Sequence, residues 1–146
     1  MSSSQPETIA EFVRTSMVLL RQEFPRAYFL ICANLSGRSI SVEVDGQFVF
    51  LDCRPLEVLL PNSIERADVR VVSSRRTILD VIDARLTIDQ AVRNGSIYAG
   101  GRQSYIDNCH NALLFFVRGA VRSPSFPALL QEFRRFSANQ VGGYTR

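Results

Sequence analysis

The feature that most constrains the fold is the stretch of residues 67–121, where an alternating strand precedes two compact helices, a glycine-bounded strand and a long helix. That long helix, predicted over residues 102–121, is apolar on more than one side. A stripe at helical spacing predicts its core-facing side: Tyr105, Ile106, Cys109, Ala112, Leu113, Phe116, Val117 and Ala120. Leu114 and Phe115 project from the opposite side. Either a C-terminal helix covers these two side chains, or they line a pocket for an apolar small molecule.

Length and cysteine usage indicate one reduced, single-domain chain. The 146 residues fit a single hydrophobic core. Three cysteines, Cys32, Cys53 and Cys109, are odd in number and lack CxxC spacing, which predicts core thiols without a disulfide or a metal site. Residues 1–8 lack the features of a signal peptide, and no apolar run approaches the roughly 20 residues that span a bilayer. We therefore expect a cytoplasmic protein with at most transient membrane contact.

The charge pattern argues against a nucleic-acid partner. All 17 basic residues are arginine, against 14 acidic residues, and the net charge is only +3. The basic pairs at residues 75–76 and 134–135 are dispersed along the chain and belong to no longer run of like charge. The composition is compatible with a homodimer and with binding to a protein partner.

The N-terminal half predicts a helix followed by a three-stranded meander. A helix is predicted over residues 7–24 and ends at Pro25, because its apolar residues share one face. Residues 27–35 form an almost continuous apolar run, which predicts a central strand buried on both faces. Two alternating strands follow, at residues 39–44 and 47–52, and the Asp45-Gly46 pair predicts a tight reversal between them. Residues 54–66 predict a short helical turn or an irregular crossover.

Capping signals place the short helices of the C-terminal half. Ser74 is a predicted N-cap, Thr87 and Gln90 have the spacing of a capping box, and Gly95 predicts a left-handed helix stop. Two further strands are predicted, over residues 67–72 and 96–99. A final amphipathic helix is predicted over residues 126–137. Its apolar stripe is Phe126, Leu129, Leu130, Phe133 and Phe136.

Several local motifs together resemble a known family. They are Ala67-Asp68-Val69-Arg70-Val71, Ile78-Leu79-Asp80-Val81-Ile82, Arg85-Leu86-Thr87, Ala91, Gly95-Ser96-Ile97, and Gly100 or Gly101. In this order, after the helix and meander, they resemble the sterol carrier protein type 2 family, in which such a strand and helix precede a Gly-Lys-Leu segment and a glycine-closed strand. The resemblance covers residues 27–121 and identifies residues 1–146 as one sterol-carrier-like domain of a single-domain, bacterial-like member.

The resemblance implies both a fold and a function. The implied α+β fold is a mixed, mostly antiparallel five-stranded sheet with helices covering one face and an apolar tunnel between the two layers. Members of that family bind sterols, fatty acids or fatty acyl-CoA. Such carriage needs no covalent chemistry and no cofactor, because burial of apolar surface contributes about 25 cal/mol per Å².

The chain supplies candidates for each part of such a site. Six apolar side chains are predicted to line the cavity: Ile78, Val81, Leu114, Phe115, Leu130 and Phe133. The C-terminal helix is predicted to act as a lid, because the Ser123-Pro124-Ser125 segment before it permits movement. Tyr98 and Tyr105 either present their hydroxyls at the pocket mouth or lie half-buried with the hydroxyl in water. Arg102 begins the long helix and is predicted to contact a ligand carboxylate or phosphate.

No catalytic or metal site is predicted. His110 is the only histidine, which excludes a multi-histidine metal site. Either Asp107 orients its ring on the same helix face, or His110 is an ordinary surface residue. Cys109 and His110 are adjacent on a helix and therefore do not face each other. Three aspartates lie near predicted helix surfaces, where solvated roles dominate: Asp80, Asp83 and Asp89.

Three functions are consistent with the sequence. The leading hypothesis is non-enzymatic binding or carriage of an apolar, lipid-like small molecule in an internal cavity. The second is an accessory enzyme that acts on a hydrophobic pathway intermediate in the same cavity. The third is an interaction module whose cavity has closed and whose C-terminal helix contacts a protein partner. Fold alone does not separate them, because function depends on the site.

Overall fold

The computed structural model describes residues 8–144, and the side chains of residues 8–135. The helices of this part are α1 (Ile9–Glu23), α2 (Pro25–Leu35), α3 (Arg75–Ile82), α4 (Ile88–Arg93), α5 (Gln103–Arg122) and α6 (Phe126–Tyr144). The strands are β1 (Ser39–Val44), β2 (Gln47–Cys53), β3 (Val58–Leu59), β4 (Val69–Ser73) and β5 (Tyr98–Gly101). The predicted final helix is therefore longer than residues 126–137, and the side chain of Phe136 lies outside the described residues.

The strands form one mixed sheet in the order β3-β2-β1-β4-β5. β1 runs parallel to β4, and the other three pairings of the sheet are antiparallel. The crossover from β2 through β3 to β4 therefore places β4 beside β1, on the side away from β2. The predicted α+β class, with a mostly antiparallel five-stranded sheet, is confirmed.

Helices cover one face of this sheet. Alternate strand residues point into the core, and those that are fully buried include Ile40, Val44, Val49, Cys53 and Val69. They join one hydrophobic cluster with side chains of α1, α2, α5 and α6. On the opposite face, Phe48 stays 48% exposed and Tyr98 stays 54% exposed. The sheet therefore has one packed face and one open face.

The hairpin between β1 and β2 follows its turn signal. Asp45 and Gly46 both adopt positive φ, at 51° and 82°, as a primed turn requires. The resulting register pairs Val44 with Gln47 and Val42 with Val49. A shift by one residue would move the apolar side chains to the open face.

The predicted central strand at residues 27–35 is wrong, because this segment is helix α2. Its buried side chains are Ala27, Tyr28, Ile31, Cys32 and Leu35, which recur at helical spacing. The prediction that the first helix ends at Pro25 is confirmed, because α1 ends at Glu23. Pro25 itself occupies the first turn of α2, where no amide donor is needed.

Strand β3 lies in the segment predicted as a helical turn or an irregular crossover. Val58 and Leu59 pair with Cys53 and Asp52 at the edge of the sheet. The amide of Val58 also donates a hydrogen bond of 3.0 Å to the Tyr28 hydroxyl of α2. This bond ties the edge strand to the helical layer.

The predicted helix caps are confirmed. The Ser74 hydroxyl accepts from the amide of Thr77 at the start of α3. At α4, Thr87 and Gln90 form both hydrogen bonds of a capping box.

Within the described part of the chain, no helix combines the length and apolar character needed to cross a membrane.

Candidate functional site

The C-terminal helix seals the helical layer with aromatic rings. Phe133 of α6 is 0% exposed and stacks on Phe12 of α1, with ring centroids 4.1 Å apart and planes at 19°. Phe126 contacts the edges of Phe12 and Phe116, with centroids 6.5 and 5.8 Å apart. These contacts occupy the space beneath α6, where the sequence predicts part of an apolar tunnel.

A buried arginine lies beneath Phe133. Arg75, at the first position of α3, is 2% exposed, and its Nη2 donates to Gln47 Oε1 at 2.7 Å. Its guanidinium carbon lies 5.2 Å from the centroid of Phe133. Burial lowers the pKa of this guanidinium, and Asp45 partly offsets that effect. Arg75 is not among the predicted site residues, although its spacing from Ile78 places it on the apolar face of α3.

A surface ion pair connects α6 to the end of α3. Arg134 forms a bidentate ion pair with Asp83, with nitrogen–oxygen distances of 2.5 and 2.7 Å. This hydrogen bonding lowers the pKa of the Asp83 carboxyl. Both side chains are partly exposed, so the pair is accessible to water. It joins the end of α3 to the middle of α6.

The connection between α5 and α6 is anchored rather than free. Glu23, at the end of α1, accepts hydrogen bonds from the hydroxyls of Ser123 and Ser125 and from the amide of Ser125. These hydrogen bonds lower the pKa of the Glu23 carboxyl, and the bond from the Ser123 hydroxyl contributes most. The segment predicted to permit lid movement is therefore fixed at its base.

The predicted cavity-lining residues fall into two groups. Ile78 and Leu130 are partly buried against the core cluster, as is Phe115, while Phe133 belongs to the cluster itself. Val81 and Leu114 are half-buried. Helix α3, which carries Ile78 and Val81, contacts helix α6, which carries Leu130 and Phe133. The role of all six in ligand binding stays a prediction.

Two of the remaining predicted site residues, Arg102 and Tyr105, lie at the end of the sheet where β5 stops and α5 begins. Tyr105 is half-buried and packs against the core cluster. The guanidinium carbons of Arg38 and Arg102 lie 3.9 and 5.1 Å from the centroid of its ring. Tyr98 is not part of this group, because its side chain lies over Gly100 on the open face of the sheet. Arg38 was missed by the sequence analysis.

Cys53 of β2 and Cys109 of α5 are poorly suited to act as nucleophiles, because burial disfavours the thiolate. Burial raises the pKa of the Cys109 thiol to about 11 and that of Cys53 to about 12. His110 Nε2 lies 3.3 Å from Asp89 of α4 rather than against Asp107, which accepts a hydrogen bond from Gln103. Among the described residues, no group of three or more His, Cys, Asp or Glu side chains is arranged to hold a metal ion.

A shallow depression of about 480 Å³ opens on the surface beside α4. Its lining is Arg85, Leu86, Gln90, Arg93 and Asn94. None of the predicted ligand-binding residues contributes to it. Rings of α1, α5 and α6 therefore pack together beneath α6, and the described depression lies elsewhere, beside α4.

Solved structures with the same architecture place this chain in a known fold class. Several of the similar structures are sterol carrier protein 2 domains, and the chain has the sterol carrier protein 2 fold. The sequence resemblance is thus confirmed at the level of the fold. No protein-family model matches the chain, and no curated protein matches it by sequence.

Three of these structures illustrate the likeness. The structure described as "UbiJ-SCP2 Ubiquinone synthesis protein" is 20% identical, with a TM-score of 0.53 over 70% of this chain and 93% of that one. A crystal structure of sterol carrier protein 2 is 13% identical, with a TM-score of 0.51 over 77% and 98%. The sterol carrier protein domain 2 of Helicoverpa armigera is 16% identical, with a TM-score of 0.50 over 81% and 96%.

Proposed function

We propose that this protein binds and carries an apolar, lipid-like small molecule between its sheet and its helical layer. The observation that carries this proposal is the combination of the sterol carrier protein 2 fold with a C-terminal cover whose inner face is aromatic. Sterols, fatty acids and acyl-CoA are the ligand class that the sequence resemblance implies. Carriage requires only that apolar surface leave water, so the protein needs no catalytic residue or cofactor for it.

The proposed route for the ligand begins at α6. Phe133 must leave its stack with Phe12 before a guest can contact the apolar side chains of α3 and α5. Glu23 keeps the start of α6 in place through Ser123 and Ser125, so the opening involves the later part of the helix. The proposed lining is the predicted set: Ile78, Val81, Leu114, Phe115, Leu130 and Phe133.

Breaking the surface ion pair that holds α6 costs little free energy. The Asp83–Arg134 ion pair is partly exposed, and such pairs contribute roughly 0.2–1 kcal/mol. A bound acyl chain replaces the aromatic contacts that Phe133 gives up, at about 0.8 kcal/mol for each buried methylene. An acyl chain of about six methylenes would offset the roughly 3–5 kcal/mol that burial of Phe133 contributes, which permits exchange between a closed empty state and an open loaded state.

We place this activity in the cytoplasm. All three cysteines are free, and Cys32 and Cys53 are buried in the core, as in chains that fold under reducing conditions. Contact with a membrane would be transient, when a ligand is collected or delivered. A homodimer or a protein partner stays a prediction.

A second candidate is a protein-interaction module with a permanently closed interior. The observation that favours it is the complete burial of Phe12, Phe126 and Phe133, which leaves the core filled. Under this alternative, α6 is a structural helix and no lipid enters. The two candidates therefore differ in whether loosening α6 increases ligand binding.

The Arg134→Ala variant tests the proposed route. Removing the ion pair destabilises the closed state and should raise the affinity for a fluorescent fatty acid by up to about fivefold, because more of the protein is competent to bind. The measurement is the Kd from a fluorescence titration. Arg135→Ala is the matched control, since Arg135 is adjacent, exposed and without an ion pair among the described residues. No retention of the probe by wild type or by Arg134→Ala would contradict carriage and favour the closed module.

A further inference from the structure

Two arginines from distant parts of the chain meet on one aromatic ring. Arg38 directly precedes β1, and Arg102 lies between β5 and α5. β4 pairs with both β1 and β5, so the start of β1 and the end of β5 lie at the same end of the sheet. Both guanidinium carbons are consequently within 5.1 Å of the Tyr105 centroid.

These two positive charges have no acidic partner in the described part of the chain. No carboxylate there lies within 4.0 Å of either guanidinium, since the ion pairs involve other residues. The nearby Asp68 carboxylate instead accepts the amide of Ser39 at 2.8 Å. In addition, Arg38 Nε is buried and has no hydrogen-bond partner among the described atoms. Two like charges and an unused donor at one place favour an anion.

The stacking on Tyr105 also orients the donors. A guanidinium that lies over an aromatic ring uses its face for that contact and keeps the N–H groups at its edge available for an oxygen. Planar, edge-on donors of this kind match the oxygens of a carboxylate or a phosphate. The first turn of α5 has no side-chain cap, so its amides add positive potential at the same place.

We propose that Arg38 and Arg102 bind the carboxylate or phosphate headgroup of an amphiphilic lipid, and we call the pair the arginine clamp. This inference rests on the proposed carriage function. Tyr105 lies at the border of the core, and Ile106 and Cys109 continue from it along α5 against the buried cluster. A headgroup held at the arginine clamp thus lies next to apolar side chains of the core border. The ligand class is an anionic lipid rather than a neutral sterol.

The test compares a fatty acid with the fatty alcohol of the same chain length. Affinities are measured by displacement of a neutral fluorescent lipid from the wild-type protein at neutral pH. The wild type should prefer the acid by about ten- to hundredfold, as expected for charge-assisted hydrogen bonds. In the double variant Arg38→Gln/Arg102→Gln this preference should disappear, while the affinity for the alcohol stays unchanged.

A matched variant separates the arginine clamp from overall charge. Arg70→Gln/Arg76→Gln removes the same charge from two exposed side chains and should retain the preference for the acid. Thermal unfolding checks that both double variants are folded. Loss of the preference in both to the same extent would overturn the arginine clamp.

Three further results would each overturn the arginine clamp as a site for a lipid headgroup. Equal affinity of the wild type for acid and alcohol would overturn the arginine clamp and leave carriage intact. Absence of binding of both lipids would overturn the arginine clamp together with the proposed function. Inorganic phosphate, tested alone, should bind only weakly. If it binds as tightly as the fatty acid and through the same arginines, the site takes free anions and the lipid-headgroup assignment is overturned.

Discussion

Replacing Phe133 with alanine is expected to lower the free energy of unfolding by about 3–5 kcal/mol. The side chain is fully buried, stacks on Phe12 and covers the guanidinium of Arg75. Its removal loses apolar burial and leaves a cavity that the surrounding helices fill only in part. The measurement is urea unfolding, read as a lower midpoint at an unchanged slope.

The matched control deletes the same ring from the open face of the sheet. Phe48 is 48% exposed, and its ring contacts Phe50 at a centroid distance of 6.1 Å. We expect Phe48→Ala to cost no more than about 1 kcal/mol. If Phe133→Ala cost as little, α6 would not be packed onto the core as described.

The Gly119→Val variant is expected to cost about 1–3 kcal/mol through overpacking between α5 and the first two helices. A Cβ at Gly119 would lie 2.7 Å from Leu20 Cδ2 and 2.8 Å from Ala27 Cβ. The Leu20 methyl can rotate, but the Ala27 Cβ is fixed to the backbone of α2. The helices must therefore separate, and urea unfolding should again show a lower midpoint.

The control for this substitution lies on the same helix. Asn111 is exposed on α5, and valine and asparagine have similar helix propensities, so Asn111→Val should change stability by no more than about 0.5 kcal/mol. A loss from Gly119→Val no larger than that from Asn111→Val would contradict the close crossing at Gly119.

Local signals in the sequence predict much of the fold. The Asp45-Gly46 turn and the Thr87–Gln90 capping box each depend on residues a few positions apart, and both are present as predicted. The alternating strands at β1, β2 and β4 also follow from spacing alone, with boundaries shifted by up to two residues. The five-stranded sheet and the α+β class follow from the family resemblance that these motifs carry, not from spacing alone.

Helix α2 shows where such reasoning fails. A continuous apolar run fits a strand buried on both faces as well as it fits a buried helix, so periodicity does not distinguish them. Pro25 correctly marked the end of the first helix, but it gave no sign that a second helix begins there, although proline is well suited to a first helical turn. The edge strand β3 was missed for a different reason. Its two residues pair only because β2 is already in place.

The candidate site is predictable only in part. Phe133 and Leu130 follow from the stripe on α6, and Arg102 and Tyr105 follow from their place at the start of α5. Arg38 does not, because its contact with Tyr105 depends on the order of strands in the sheet. Likewise, nothing local indicates that Glu23 anchors Ser123 and Ser125 across the molecule.

The central claim is that the helical layer opens to admit a single lipid. Native mass spectrometry of the purified chain, before and after incubation with a fatty acid, tests it most directly. We predict a species heavier than the bare chain by the mass of one lipid, with the added mass lost after extraction with organic solvent. Detection of the bare chain alone, both before and after the fatty acid is offered, would contradict the claim.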